Sequence, residues 1–187
     1  MKLHPVVKSL PRAIRHPVQY TFLRGVYGRV RQLEYRSFNR RYFAIEQVAE
    51  YLVGAQVPGE YCEFGVWQGT TFAHAYRSMA HLYPDMRFVA YDSFGGLPEP
   101  KGLDAIDGYT SHFYKGQFAS PKDAFLKNMR ANKVRLDRVR TVQGWFNETL
   151  APDRADAHGV SAVAVAWIDC DYYESTVPVL DYLTTRV

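Results

Sequence analysis

Two cysteines, Cys62 and Cys170, are all that the 187 residues contain. So few exclude a disulfide framework, and without a CxxC pair or a His/Cys cluster at ligand spacing they also exclude a zinc module. Long apolar runs are missing as well. None reaches the roughly 18 residues of a membrane span, and the first residues, His4 and Pro5 followed by charges, lack the apolar stretch of a secretory signal. The expectation is a cytoplasmic protein with reduced, buried thiols. Internal repeats and low-complexity tracts are absent too, and 47% hydrophobic with 22% charged residues is an ordinary globular composition.

The formal net charge of +4 is unevenly spread, with +9 on residues 1–41 and −5 on the remainder. Basic character is thus local, which argues against a nucleic-acid surface over the whole chain. Within the basic segment Phe22, Leu23, Val26, Tyr27 and Val30 recur at helical spacing between arginines, which predicts an amphipathic helix. Such a helix packs on its own domain or on a second subunit, giving a homo-oligomer through N-terminal helices; contact with an anionic membrane surface is the weaker reading. A second helix is expected from Tyr42 to Leu52, ending near Gly54, before the turn at Pro58-Gly59. The chain therefore divides into a basic helical segment, 1–54, and a main domain, 55–187.

In the main domain strands and helices alternate. Strand patterns lie at Tyr61 to Phe64, Arg87 to Tyr91, Val139 to Val142 and Val163 to Ile168, with helical patterns at Thr71 to Leu82, Pro121 to Ala131 and Val177 to Leu183. That order predicts an α/β fold, a parallel sheet with helices on both faces, whose ligands bind beyond the carboxyl ends of the strands. The first strand runs into Glu63-Phe64-Gly65-Val66-Trp67-Gln68-Gly69-Thr70, where Gly65 and Gly69 permit a tight turn and close approach of a ligand or of another element. The turn lacks GxGxxG and GK[ST], which counts against a dinucleotide dehydrogenase and a P-loop. The second strand ends at Asp92-Ser93-Phe94-Gly95-Gly96-Leu97-Pro98-Glu99-Pro100. An acid there is placed either to accept both hydroxyls of a ribose or to form a local turn.

The ExGxxxG turn, the DSFGGLPEP segment, Gly144-Trp145-Phe146 with Thr149-Leu150, and Ile168-Asp169-Cys170-Asp171-Tyr172-Tyr173-Glu174-Ser175-Thr176 together resemble the macrocin O-methyltransferase family over about residues 42–187. The resemblance implies a Rossmann-like class I methyltransferase that uses S-adenosylmethionine and magnesium to methylate a hydroxyl of a sugar or natural-product acceptor. It implies that the Glu63 to Gly69 loop, with Gly65, holds the methionine end of the cofactor. It further implies that Asp92, with Ser93 beside it, holds the ribose and that Gly144 and Trp145 lie near the adenine.

Asp169 and Asp171 stand two apart at the end of the fourth strand, so an extended backbone projects both to one side, where they either bind a hard cation or cap the next helix. The family pattern puts a metal-binding Asp at Asp169, with Asp171 in a supporting or capping place. Catechol-type relatives carry a lysine three residues after that Asp, and here the position is Tyr172. The segment from Lys101 to Ser120, with Asp104, Asp107, His112 and Tyr114, is long enough for a lid, and His112 has the chemistry of a general base. A class I methyltransferase has seven strands and a further acidic pair after the fifth. The expectation is therefore a fragment or truncated product, its last strands missing and its fourth strand left with an unpaired edge. Two other readings stay open: a nucleotide-sugar or NAD enzyme, and a non-catalytic interaction protein.

Overall fold

The computed structural model describes residues 40–106 and 110–187. The helix expected around Phe22 to Val30, and Asp107, lie outside the described residues. Four strands, β1 (Glu60–Phe64), β2 (Phe88–Asp92), β3 (Val139–Gln143) and β4 (Val163–Ile168), form one all-parallel sheet in the order β3-β2-β1-β4. Around it lie helices α1 (40–55), α2 (Thr70–Met79), α3 (Lys122–Ala131), α4 (Phe146–Thr149), α5 (Pro152–Ala155) and α6 (Tyr173–Leu183). Residues from Ala44 to Val187 make one compact unit.

The central strands β1 and β2 are buried on both faces, so their alternate residues feed two cores. Tyr61, Phe88 and Ala90 join Ile45, Leu52, Phe72, Met79, Phe125 and Met129, which places α1, α2 and α3 on one face. Cys62, Phe64, Val89 and Tyr91 join Leu150, Ala155, Val179 and Tyr182, which places α5 and α6 with the α4 end on the other. There Phe64 stacks on Tyr91 at 4.7 Å, and the Tyr91 and Tyr182 hydroxyls lie 3.1 Å apart. The expected doubly covered parallel sheet is what forms.

At the amino ends of the strands a single cation ties the turns. Arg138 donates from Nη1 to the Ala80 carbonyl (2.8 Å), from Nη2 to those of Tyr83 (2.5 Å) and Met86 (2.7 Å), and from Nε to Met86 (3.1 Å). Its guanidinium also lies 5.7 Å from the Tyr76 ring centre and 5.6 Å from that of Phe88. These carbonyls belong to the end of α2 and the turn after it, where a fork of donors satisfies oxygens that the helix itself cannot.

Strand bounds fall within a residue of the patterns that foretold them, but α6 starts at Tyr173, four residues before the expected Val177. Pro178 sits inside this helix, and proline usually marks a helix start, which is why the pattern pointed later. No described helix is long and apolar enough to cross a membrane.

Candidate functional site

The chain passes from β1 through β2 to β3 in one direction and then returns to the other side of β1 to form β4. The reversal opens the sheet at the carboxyl ends of β1 and β4, where such folds take their ligands. Three turns meet there. Phe64 pairs in register with both Tyr91 and Ile168, so Gly65, Asp92 and Asp169 emerge at one level. The Gly65 amide donates to the Tyr91 carbonyl (2.9 Å) and the Asp169 amide to the Phe64 carbonyl (2.9 Å).

Gly65 has φ +86, and a Cβ on it would sit 2.5 Å from the Asp169 carbonyl oxygen. The glycine is thus required by the neighbouring turn before any ligand enters. Gly69, at φ +78, packs where a Cβ would meet Met129 and Phe125 at 2.5 and 2.6 Å, so it seats the start of α2 on α3. Between them Trp67 takes φ 46 and stands 48% exposed at the rim. Glu63 lies one step inside, in β1, fully buried, with Oε2 accepting from the Tyr61 hydroxyl at 2.5 Å. Burial first, and the Glu63 charge second, hold the Tyr61 hydroxyl well above its ordinary pKa. Glu63 is therefore under the loop rather than in it.

Asp92 ties the turns together. Its Oδ2 accepts from the Val66 amide (2.8 Å) and the Trp67 amide (2.9 Å), and its Oδ1 from the Phe94 amide (2.7 Å). A carboxylate offers about four acceptor positions; two hold the loop after β1 and a third holds Asp92's own turn, leaving room at Oδ1 for one more donor. Ser93 closes the turn, donating to the Gly96 carbonyl (2.9 Å) and accepting from the Gly95 amide (3.1 Å). The Gly144 amide donates to the Asp92 carbonyl at 3.0 Å, and Trp145 reaches within 4.0 Å of the Cβ position of Gly95. Gly65, Gly69, Asp92, Ser93, Gly144 and Trp145 are thus gathered on contiguous turns.

The other half of the site is looser. Asp169 and Asp171 are exposed, with the half-buried Cys170 between them. Burial raises the Cys170 thiol to about 12, so it stays protonated and unreactive at neutral pH. Tyr172 is buried, and its hydroxyl lacks a hydrogen-bond partner. Its ring meets Phe113 at 5.9 Å, and Phe113 meets Phe118, which in turn contacts Trp67 at 6.4 Å. An aromatic chain therefore runs from β4's turn to the rim of the β1 loop. His112 is exposed beside Phe113, with ring centres 4.1 Å apart.

A contact that spacing does not reveal holds the start of α6. Asp104, 5% exposed, accepts from the Tyr173 amide at Oδ1 (3.0 Å) and from the Glu174 amide at Oδ2 (2.9 Å). The residue at the cap position is Tyr172, which makes no side-chain cap. The only sequence signal was that unmet demand.

As for a metal, Asp169 and Asp171 are hard oxygen donors, but no group of three or more His, Cys, Asp or Glu among the described residues is arranged to hold an ion. Two carboxylates alone leave most of a magnesium shell to water. The described residues do not fit a complete site.

The family pattern described as Macrocin-O-methyltransferase (TylF) matches residues 37–187. Over 150 residues, 76% of this chain and 54% of the relative, the sequence is 33% identical to an 8-demethyl-8-(2,3-dimethoxy-alpha-L-rhamnosyl)-tetracenomycin-C 4'-O-methyltransferase of Streptomyces olivaceus. It is 31% identical, with the same coverage, to a demethyldecarbamoylnovobiocin O-methyltransferase of Streptomyces niveus. The chain thus spans about half the length of these curated relatives. Among solved structures it resembles the O-methyltransferase NovP, with 30% identity, TM-score 0.62, and 79% of this chain against 60% of that one. It also resembles the calicheamicin methyltransferase CalS11, with 22% identity, TM-score 0.65, and 98% against 75%, a likeness of fold.

Proposed function

Given that the chain belongs to the macrocin O-methyltransferase family, we propose that it binds S-adenosylmethionine over the carboxyl ends of β1 and β2 and transfers its methyl group to a hydroxyl of a sugar or natural product. The observation that carries this reading is the convergence of the Gly65, Asp92 and Asp169 turns at the sheet's reversal, knitted by the Asp92 carboxylate. A glycine-built turn there lets the methionine end of a cofactor lie on backbone amides. Asp92 presets that turn and has one acceptor position for a ribose hydroxyl. Gly144 and Trp145 flank the adenine, and Glu63 stiffens the strand beneath.

For transfer, the acceptor oxygen attacks the methyl carbon in line as the carbon–sulfur bond breaks, and the hydroxyl proton passes to a base. The chain's part is alignment and the exclusion of water. The aromatic chain from Tyr172 through Phe113 and Phe118 to Trp67 gives the acceptor an apolar wall, and His112 beside it is the proposed base. Asp169 and Asp171 face the acceptor side as the proposed magnesium donors. The described residues fall short of a full ligand set for that ion.

A sugar acceptor is supported by the rhamnosyl 4'-O specificity in the name of the tetracenomycin relative. A cytoplasmic location and a homo-oligomer joined through the basic segment complete the proposal; the latter rests on that segment's charge and amphipathic spacing. Calorimetric titration with S-adenosylhomocysteine and with NAD tests the reading. Saturable binding of the first alone is expected. Binding of NAD alone would make this a nucleotide enzyme, and binding of neither would leave an interaction protein.

A further inference from the structure

The Asp169–Tyr172 segment carries the exposed carboxylates between the end of β4 and the start of α6. At one end it is tied by the Asp169 amide on the Phe64 carbonyl, with the Asp169 carbonyl pressed toward Gly65. At the other it enters α6 through Tyr172, whose phenol is buried without a hydrogen bond and cannot cap a helix. The side-chain cap that Tyr172 does not make comes from Asp104, which lies 69 and 70 residues away in sequence from the amides it accepts from and is itself almost fully buried.

Asp104 is in turn built into the connection after β2. It sits in a short 3-10 turn, Gly102–Ala105, and its own carbonyl accepts from the Thr110 hydroxyl at 3.0 Å. Upstream, Leu97 pairs with the segment on the far side of this connection: its amide donates to Gln117 (2.8 Å), and its carbonyl accepts from Gly116 (2.9 Å). One carboxylate thus joins the acceptor-side wall to the strand end that carries Asp169 and Asp171.

We propose that Asp104 is a positioning residue for methyl transfer, which sets the Asp169–Tyr172 segment against the acceptor side by holding the first two amides of α6. This rests on the methyltransferase reading above, but its physical core is independent of turnover. Charge-assisted bonds to two helix amides hold more firmly than neutral ones. A displacement of about 1 Å at a reacting group is enough for roughly a hundredfold loss of rate.

The test compares Asp104→Ala and Asp104→Asn with the parent chain in three measurements. Hydrogen exchange at the Tyr173 and Glu174 amides should quicken about tenfold in Asp104→Ala, the equivalent of one to two lost hydrogen bonds, and less in Asp104→Asn, which keeps one acceptor. Exchange in β1 and β2, and S-adenosylhomocysteine affinity, should stay within about twofold, because those contacts lie on other turns. Turnover with a rhamnosylated acceptor should fall about tenfold or more in kcat, with the cofactor KM unchanged. Unchanged exchange at Tyr173 and Glu174 overturns the proposal, as does normal kcat in a variant that has only lost thermal stability. If the parent chain binds no S-adenosylhomocysteine, the functional reading fails instead, and the exchange measurement still decides whether Asp104 holds the segment.

Discussion

At the ends of β1 and β2 the turns are held at short range. Gly65, Trp67, Phe94 and Gly96 adopt left-handed backbone, the amides of Val66, Trp67 and Phe94 share one carboxylate, and Ser93 closes its own turn. At the end of β4 the turn is exposed, and its helix is capped from the far side of the site. The first region is preorganised mainly by residues within itself, with α3 supporting it at Gln68 and Gly69, the second by a residue elsewhere in the chain. A cofactor common to many enzymes suits the first arrangement, whereas an acceptor that differs from enzyme to enzyme suits a turn whose support comes from a replaceable connection.

Substitutions can break this contrast, and the largest effect is expected at the point where the two regions touch. Gly65→Val places a branched side chain at φ +86 and a Cβ against the Asp169 carbonyl. Left-handed strain of roughly 1–2 kcal/mol and overpacking of about 1–3 kcal/mol should together cost about 3 kcal/mol or more in urea unfolding. A Gly65→Val chain of normal stability that fails to bind S-adenosylhomocysteine would show that the glycine serves the cofactor and not the neighbouring turn. Next in size, Asp92→Ala should weaken S-adenosylhomocysteine binding by about 1–3 kcal/mol, because it removes an acceptor and releases two amides of the turn after β1 and one of its own turn. Unchanged affinity in a folded Asp92→Ala chain would sink the cofactor assignment.

The contrast sharpens at Asp169. Asp169→Asn should leave S-adenosylhomocysteine affinity within about twofold, since the backbone contacts that join the two regions there, the Asp169 amide on Phe64 and its carbonyl against Gly65, are kept in the variant. A tenfold loss in the same calorimetric titration would show that the regions are not separable.

The smallest effects are pH-dependent. Burial, then Arg140 and Arg186, lower the His158 pKa from its ordinary 6.5. The native chain thus refuses a proton that the unfolded chain accepts, and stability present above pH 6.5 should fall as the pH drops below it. At the alkaline end, burial raises Cys62 above the usual thiol range and Cys170 to about 12. Stability tied to these neutral thiols should hold below their ordinary value of 9.0 and be lost as the pH climbs above it. Thermal melts of His158→Gln and Cys170→Ala against the parent chain check both slopes.

Sequence periodicity revealed the sheet because central strands buried on both faces leave apolar runs such as Phe88 to Tyr91. The turns after β1 and β2 were equally visible, since their glycines, Asp92 and Ser93 act within a few residues of one another or at the ends of adjacent parallel strands. What stayed hidden was action at a distance. The spacing of Gly65 and Gly69 suggested room for a ligand, yet their missing side chains also make way for the Asp169 carbonyl and for Phe125 and Met129. Asp104 stood out only as one acid among several in a long connection, because a cap contributed from 69 residues away leaves no periodic trace.

Arg138 bears on how the chain tolerates changes in length. One guanidinium reads the carbonyls of residues 80, 83 and 86 together, so inserting or deleting a single residue between Ala80 and Met86 would pull at least one oxygen off the fork. That turn should accept substitution far more readily than a change in length. Variation in length should instead collect at the opposite rim of the sheet, where the connection from Lys101 to Ser120 can grow or shrink between its anchors, Asp104 on α6 and Gly116-Gln117 on Leu97, without disturbing the register of any strand. The amino-terminal rim works as the ruler of the fold, and the carboxyl-terminal rim as the part free to diversify.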